Sequence, residues 1–250
     1  MSALGSVPES RRQWRRTIRA GLFWTALGFA AATISYAFDL NVAARSLGFD
    51  RPLSTIFFAL VPIPALALGL HGVALALRLR AASRLADRTA SYLAERLPES
   101  FVVVPHYGPR DGAGDEVAMV VIGPPGVVVI EPREETGEVV CYQDHWYRRK
   151  RKFGVGRRMT GASPSQRARW NAARVRSDIA SGGFSRTPVE ALVVFTQAKL
   201  DDVSNSCVPV LAGLDAAVDH LTNGARLDGS ADRTRALADA LVGPVHLAVV

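Results

Sequence analysis

The sequence predicts an α/β fold, a mixed sheet flanked by helices, preceded by two transmembrane α-helices. Two long apolar segments lie near the N-terminus, and short β-branched runs and helical patterns follow them. Hydrophobic residues make up 48% of the 250 residues, so part of this apolar content belongs to a bilayer rather than to a core. We therefore expect a membrane anchor at 1–80, a cytoplasmic domain at 81–200, and a mixed α/β extension at 201–250 packed on that domain.

Both apolar segments are long enough to cross a membrane, which takes about 20 apolar residues. The first span covers residues 20–38 without a charge, and the second covers 53–77 with His71 as its one ionisable residue. A cleaved signal peptide is the alternative for the first span, with Ala30–Ala32 as a small-residue cleavage site. Because a second span follows almost at once, the sequence favours a hairpin anchor.

Basic residues next to the spans indicate the orientation, because Lys and Arg resist translocation. Five arginines precede the first span, three follow the second, and two lie between them: Arg11, Arg12, Arg15, Arg16 and Arg19; Arg78, Arg80 and Arg84; Arg45 and Arg51. The sequence therefore predicts a multi-pass protein of the inner (plasma) membrane, with the lipid bilayer as a partner. Both termini and the domain are expected in the cytoplasm.

The net charge of +7 belongs entirely to the anchor. Residues 1–84 hold ten arginines against three acidic residues, whereas residues 85–250 hold 20 basic and 20 acidic residues. The excess charge is evidence for topology and for attraction to anionic lipid headgroups. It is not in itself evidence for a nucleic-acid partner.

The cytoplasmic part alternates helical and strand patterns without an internal repeat. An amphipathic helix is expected at 81–97, almost directly after the second span, and Ser163, Pro164 and Gly182 mark the start and end of another helix. Cys141 and Cys207 lie far apart without metal-ligand spacing, which indicates reduced structural thiols. The predicted strands cover 101–107, 116–123, 126–133, 138–149, 187–197 and 207–211, and two further helices cover 213–222 and 230–242.

One hydrophobic strand carries a carboxylate and a guanidinium next to each other on the same face. By the two-residue period, Val127, Val129, Glu131 and Arg133 share a face. A strand end that emerges into solvent with a local ion pair explains this pattern as well as a functional site does.

These residues resemble a known family over roughly 85–197. The resemblance is carried by VAMVVIGPPGVVVIEPREETGEV at 117–139, by Trp146, by the helix start at 163–166 (SPSQ), and by the strand ALVVF at 191–195. This part of the chain is similar to the nuclease-related domain (NERD) family, a branch of the restriction-endonuclease-like nucleases. The resemblance implies a restriction-endonuclease-like fold.

The resemblance also implies a metal site, with an Asp on one strand, a Glu on the next, and a Lys two residues after that Glu. Such carboxylates would hold Mg²⁺, whose bound water can attack a phosphodiester. Glu131 occupies the Glu position, but Ala118 stands at the Asp position and Arg133 at the Lys position. A methyl group cannot ligate a metal, so the sequence predicts a degraded site.

One interpretation keeps the metal site, with Glu116, two residues before Ala118, as the metal ligand in place of the missing Asp. Asp87 on the first helix lies near a further acidic position of the family. In that case Glu131 and Glu116 are the metal ligands, and Glu131, Arg133 and Glu116 are the catalytic residues. The other interpretation makes Glu116 a solvated residue at a strand start.

A basic segment without acidic residues runs from Arg148 to Arg176 and contains eleven Lys or Arg residues. Trp146, Tyr147, Phe153 and Trp170 are interleaved with them, as on a surface that grips phosphates and stacks on bases of DNA or RNA. A surface that binds anionic lipid headgroups, or one that is merely solvated, has the same pattern. The predicted nucleic-acid contacts are Arg148, Arg149, Lys150, Arg151, Lys152, Arg157, Arg158 and Gln166.

Three functional hypotheses follow. In the first, a membrane-tethered domain with a degraded metal site binds nucleic acid or another polyanion near the cytoplasmic membrane surface. In the second, the domain is an active Mg²⁺-dependent nuclease that uses Glu131, Glu116 and Arg133. In the third, it is a non-catalytic membrane scaffold that binds anionic lipid or protein.

Overall fold

A computed structural model of the protein describes residues 9–37, 46, 62–108, 116–149, 156–159, 161–223 and 231–242. The backbone divides into two compact units, residues 9–82 and residues 83–250. Each unit has its own architecture.

Two helices form the first unit. Helix α1 covers Glu9–Ala37, and helix α2 covers Pro62–Arg96 and continues into the second unit. Trp14–Ile34 and Pro62–Arg96 are both long and apolar enough to cross a membrane. The expected first span lies largely in α1, whereas the first residues of the expected second span, 53–61, lie outside the described residues.

The two helices of this unit pack through small residues. A methyl group on Gly21 would lie 2.8 Å from the backbone nitrogen of Val73, and one on Gly28 would lie 2.9 Å from that of Leu66. Gly69 is equally close to Thr25, so no side chain fits between the helices here. Large apolar side chains point outward instead: Leu22, Phe23, Phe29, Ile63, Leu68 and Leu70 are all more than half exposed. Small residues inside and large apolar residues outside suit a helix pair surrounded by lipid.

The second unit is built on a seven-stranded mixed sheet. Its strands are β1 (Val102–Tyr107), β2 (Val117–Gly123), β3 (Gly126–Tyr142), β4 (His145–Arg149), β5 (Arg157–Arg158), β6 (Val189–Leu200) and β7 (Val210–Ala212). Strands β1 to β5 follow one another as antiparallel neighbours, while β6 runs parallel to β3 and β7 runs parallel to β6. The expected mixed sheet is confirmed.

Helices cover both faces of this sheet. The remaining helices are α3 (Pro164–Ser181), α4 (Leu214–Asn223) and α5 (Ala231–Val242). Helices α3 and α5 pack on the face of Val127 and Val129, whereas the end of α2 and helix α4 pack on the face of Val128 and Ile130. This alternation along β3 explains its continuous run of apolar residues, because a strand covered on both faces needs apolar side chains on both.

Helix α3 begins and ends where its sequence signals predict. Ser163 is the N-cap, and its hydroxyl accepts a hydrogen bond from the backbone N–H of Gln166, while Pro164 occupies the first turn. The C-cap is Gly182, and Gly183 follows with a φ of 89°. The apolar side of this helix is buried against the sheet, and this packing fixes which side of α3 faces β3.

The prediction of a turn at 134–137 and of one strand over 138–149 was wrong. Strand β3 continues through 134–137 with a register shift against β6, a β-bulge, where Gly137 has a φ of 94°. The hairpin turn lies instead at Gln143 and Asp144, whose φ values are 48° and 59°. Two successive positive φ values define a type I′ turn, and Gln-Asp lacks the glycine that usually signals it. Both cysteines are free, with Cys141 buried and Cys207 exposed.

Candidate functional site

Glu131 lies in the middle of β3, on the face that α3 covers. Val127 and Val129 precede it on this face and are at most 1% exposed, and Val193 of β6 pairs with it. The Glu131 side chain is itself only 6% exposed. The strand therefore carries a carboxylate into an otherwise apolar layer.

Two arginines contact this carboxylate, and the three residues are called the arginine cluster here. The Nε of Arg133 lies 3.5 Å from Oε1 of Glu131, and the Nε of Arg167, from α3, lies 3.6 Å from the same atom. Oε2 of Glu131 is buried and has no hydrogen-bond partner among the described residues. Burial raises the pKa of Glu131, and the charges of Arg167 and Arg133 oppose that rise.

The backbone changes direction at His106 in β1. Its φ is 55°, in the left-handed region that few non-glycine residues adopt. Its neighbours keep the sheet register, since Pro105 pairs with Met119 and Tyr107 pairs with Val117. Both Val104 and Tyr107 pack in the core that faces α3, so the usual alternation of side chains is interrupted at this point.

His106 connects two carboxylates, and the three residues are called the histidine cluster here. Its Nε2 lies 2.8 Å from Oδ1 of Asp87 on α2, and its Nδ1 contacts Oε1 of Glu116 directly before β2. Burial lowers the pKa of His106, but the hydrogen bonds with Glu116 and Asp87 raise it more, so the net pKa lies above the usual value.

The two predicted metal ligands thus contact different partners. Glu131 contacts Arg133 and Arg167, whereas Glu116 contacts His106. Val120 pairs with Val129 and Met119 with Ile130, and this register, extended by one residue, sets Ala118 opposite Glu131. In the part of the chain that the structure describes, no three His, Cys, Asp or Glu side chains are grouped so that they could hold a metal ion.

Four of the predicted nucleic-acid contacts lie on the small hairpin of β4 and β5, called the basic hairpin here. Arg148 pairs with Arg157 across it, and Arg157 and Arg158 are exposed. Arg149 forms a salt bridge of 3.2 Å with Asp201, and Nη2 of Arg158 lies 3.2 Å from Nδ1 of His145. The predicted contacts Lys150, Arg151 and Lys152 lie outside the described residues.

Gln166, the last predicted contact, is exposed in the first turn of α3. The same helix start is tied to the basic hairpin by a buried network. The indole Nε1 of Trp146, in β4, donates a hydrogen bond of 3.0 Å to Oγ of Ser165. This hydroxyl donates in turn to a carboxylate oxygen of Asp144, in the turn between β3 and β4. These contacts hold the start of α3, which carries Gln166, next to β4, which carries Arg148 and Arg149.

Sequence reasoning missed two partners, Arg167 for Glu131 and His106 for Glu116. Arg167 carried a signal, because a cation in the first turns of a helix opposes the helix dipole, and the first turn of α3 has no acidic residue. His106 carried a weaker one, as a single histidine at the end of an apolar strand.

In the comparison with known proteins, a family model matches the region that contains all of these features. Residues 82–196 match the family model described as the nuclease-related domain, NERD. No curated protein and no solved structure matches the chain. The match confirms the resemblance seen in the sequence, and it includes the arginine cluster, the histidine cluster and the basic hairpin.

Proposed function

Because residues 82–196 are a nuclease-related domain, we propose that the chain is a membrane-tethered protein whose domain binds nucleic acid, or another polyanion, without cutting it efficiently. The arginine cluster carries this proposal. Two guanidiniums contact Glu131, where metal-dependent cleavage needs further acidic ligands.

The donor atoms around Glu131 do not suit Mg²⁺. This ion requires octahedral coordination by hard oxygen atoms. Here Ala118 supplies no oxygen, and Glu116 is engaged by His106. Neither Ala118 nor Glu116 therefore supplies Glu131 with a second metal ligand, although the domain keeps the mixed sheet expected of a restriction-endonuclease-like fold.

Binding of a polyanion does not need a metal. Arginine cannot lose its proton near neutral pH, so Arg133 and Arg167 keep a positive charge next to the sheet. Arg157 and Arg158 add exposed charge on the basic hairpin. Each guanidinium can neutralise one phosphate and release its counterions, which gives affinity without sequence specificity.

The proposed tether is the helix pair of residues 9–82. Trp14 lies near the start of α1, and the guanidinium of Arg80 lies 5.0 Å from the centre of its ring. An interfacial tryptophan beside an arginine is typical of the membrane–water boundary. Arg15, Arg16 and Arg19 follow Trp14, so this end of the helix pair is the cytoplasmic one in our proposal.

A cleavage assay separates this proposal from the nuclease hypothesis. We incubate the full chain, purified in detergent, with labelled DNA and RNA in Mg²⁺ or Mn²⁺, beside the variant Glu131→Gln. We expect both proteins to leave the substrates intact. Cleavage by the wild type that is lost in Glu131→Gln would show an active nuclease and overturn the proposal.

A binding assay separates it from the scaffold hypothesis. We expect the wild type to bind DNA with an affinity that falls steeply with salt, and the double variant Arg157→Gln, Arg158→Gln to lose about two units of the logarithmic salt slope. The matched control is Arg186→Gln with Arg235→Gln, two exposed arginines outside the basic hairpin. Binding to anionic vesicles but not to nucleic acid would favour the scaffold.

A further inference from the structure

Helix α3 exposes a large aromatic side chain that the fold does not use. Trp170 is 76% exposed, and the only other large hydrophobic side chain so exposed in the described part of residues 83–250 is Tyr142. The core side of α3 consists of Ala168, Ala172, Val175 and Ile179, so Trp170 contributes nothing to the packing of the sheet. A single exposed hydrophobic side chain is common on a protein surface, so the residues around Trp170 carry the argument for a binding role.

Trp170 lines a groove of about 900 Å³ between the outer side of α3 and the first residues of β6. The groove also contains Gln166, Arg169, Arg174, Arg176 and Asp178. Nη2 of Arg176 donates a hydrogen bond of 2.9 Å to the carbonyl oxygen of Val189, which fixes the guanidinium against β6. The groove is therefore a polar, positively charged concavity with one aromatic wall.

Positively charged side chains outnumber acidic ones among the described residues that line the groove. Three are arginines and one, Asp178, is acidic, and its carboxylate accepts a hydrogen bond of 2.7 Å from the hydroxyl of Tyr107. Gln166, Trp170 and Arg174 follow one another at intervals of four residues, so they form a row along the helix. From Gln166 to Arg174 this row is about 12 Å long, at about 1.5 Å per residue, which is enough for a few nucleotides.

We infer that this groove binds single-stranded nucleic acid, with a base stacked on Trp170 and the neighbouring phosphates held by Arg169 and Arg174. The inference rests on the proposed function and specifies which form of nucleic acid binds. Bases in a duplex are stacked on each other and paired, so their faces are hidden from an indole ring. A base in a single strand can be splayed out and stacked on a side chain.

The shape of the groove favours nucleic acid over a lipid surface. A helix that binds a membrane inserts a continuous apolar face into the headgroup region. Around Trp170 the exposed residues of α3 are Gln166, Arg167, Arg169 and Ala173, so no such face exists on this side of the helix. One aromatic ring between cationic side chains instead matches the alternation of bases and phosphates.

The test compares affinities of the full chain, in detergent, for a fluorescent single-stranded oligonucleotide and for a duplex of the same length. Trp170→Ala is expected to weaken single-strand binding by about 5- to 150-fold, the loss of one stacked base, and to leave duplex binding unchanged. Trp170→Phe keeps a ring and is expected to retain part of the affinity. Tyr142→Ala, which removes the other large exposed aromatic side chain in the described part of residues 83–250, is the matched control.

The possible outcomes distinguish this inference from the proposed function. If Trp170→Ala binds the single strand as tightly as the wild type, while the Arg157→Gln, Arg158→Gln variant binds weakly, the inference fails and the proposed function stands. If Trp170→Ala loses binding only to anionic phospholipid vesicles, the groove is a lipid site and the inference is also overturned. If the wild type binds neither oligonucleotide, both fail.

Discussion

The two charged clusters within residues 82–196 differ in which members are buried. In the histidine cluster the imidazole of His106 and the carboxylate of Glu116 are both buried, at 7% and 10% exposed, whereas Asp87 is 38% exposed. In the arginine cluster the anion is buried, since Glu131 is 6% exposed, whereas Arg133 and Arg167 are 23% and 42% exposed. Both ring nitrogens of His106 have partners, but among the described residues only one oxygen of Glu131 does.

This difference indicates what each cluster does for the fold. A buried charge costs stability unless it is paired and hydrogen-bonded. His106 meets that condition through two short contacts, so the histidine cluster stabilises the domain. Glu131 meets it poorly, with contacts of 3.5 and 3.6 Å that are longer than hydrogen bonds. The arginine cluster is therefore expected to contribute less to stability than the histidine cluster, which agrees with the proposal that its groups serve a ligand.

The largest expected effect is that of His106→Ala. Removing the buried cation from two carboxylates is expected to lower the free energy of unfolding by about 3 kcal/mol. His106→Asn tests whether the loss of stability comes from the charge or from the backbone conformation, because Asn adopts a positive φ more readily than Ala but carries no charge. Urea unfolding of the full chain near pH 6 measures both variants. A loss below about 1 kcal/mol in His106→Ala would remove the contrast between the clusters.

The pH dependence of stability is expected to show a smaller effect of the same cluster. A raised pKa means that the folded state binds the proton more tightly, so stability falls as pH rises. For His106 the contribution is complete below the ordinary value of 6.5 and is lost as pH passes through the raised pKa. Unfolding between pH 6 and 9 measures this decline.

His106→Ala should flatten the decline above pH 6.5. Glu134→Gln, which alters a surface ion pair with Arg88, should leave it unchanged. An unchanged slope in His106→Ala would show that other groups cause the decline. The raised pKa of Glu131 acts in the same direction, but from its ordinary value of 4.5 upward.

The smallest expected effect is that of Glu131→Gln. The amide keeps the shape of the side chain and removes a charge that burial disfavours, so the free energy of unfolding near pH 7 should change by less than about 1 kcal/mol. Thermal unfolding beside the wild type measures it. A loss comparable to that of His106→Ala would mean that Glu131 is a stabilising ion pair and not a group kept for a ligand.

The elements of the domain were largely predictable because their signals are local. Ser163, Pro164 and Gly182 mark the ends of α3, and the apolar runs of β2, β3 and β6 are visible as such. The hairpin turn at Gln143 and Asp144 was not predictable, because it lacks glycine and takes its conformation from the strands it joins.

Half of the candidate site was equally visible. Glu131 and Arg133 share a strand face two residues apart, and the structure brings them together as the period requires. Trp170 was counted among the aromatic residues of the basic segment, but its exposure depends on which side of α3 packs against the sheet.

The sequence by itself determined the apolar helices with their flanking arginines, the apolar runs of the strands, and helix α3, because each of these depends on residues close together in the chain. Only the tertiary structure decided that Arg167 reaches Glu131 and that His106 takes up Glu116. These contacts join separate elements, and they depend on sheet register, helix packing and one positive φ. Sheet register, helix packing and a single positive φ do not produce a periodic pattern of residues in the sequence.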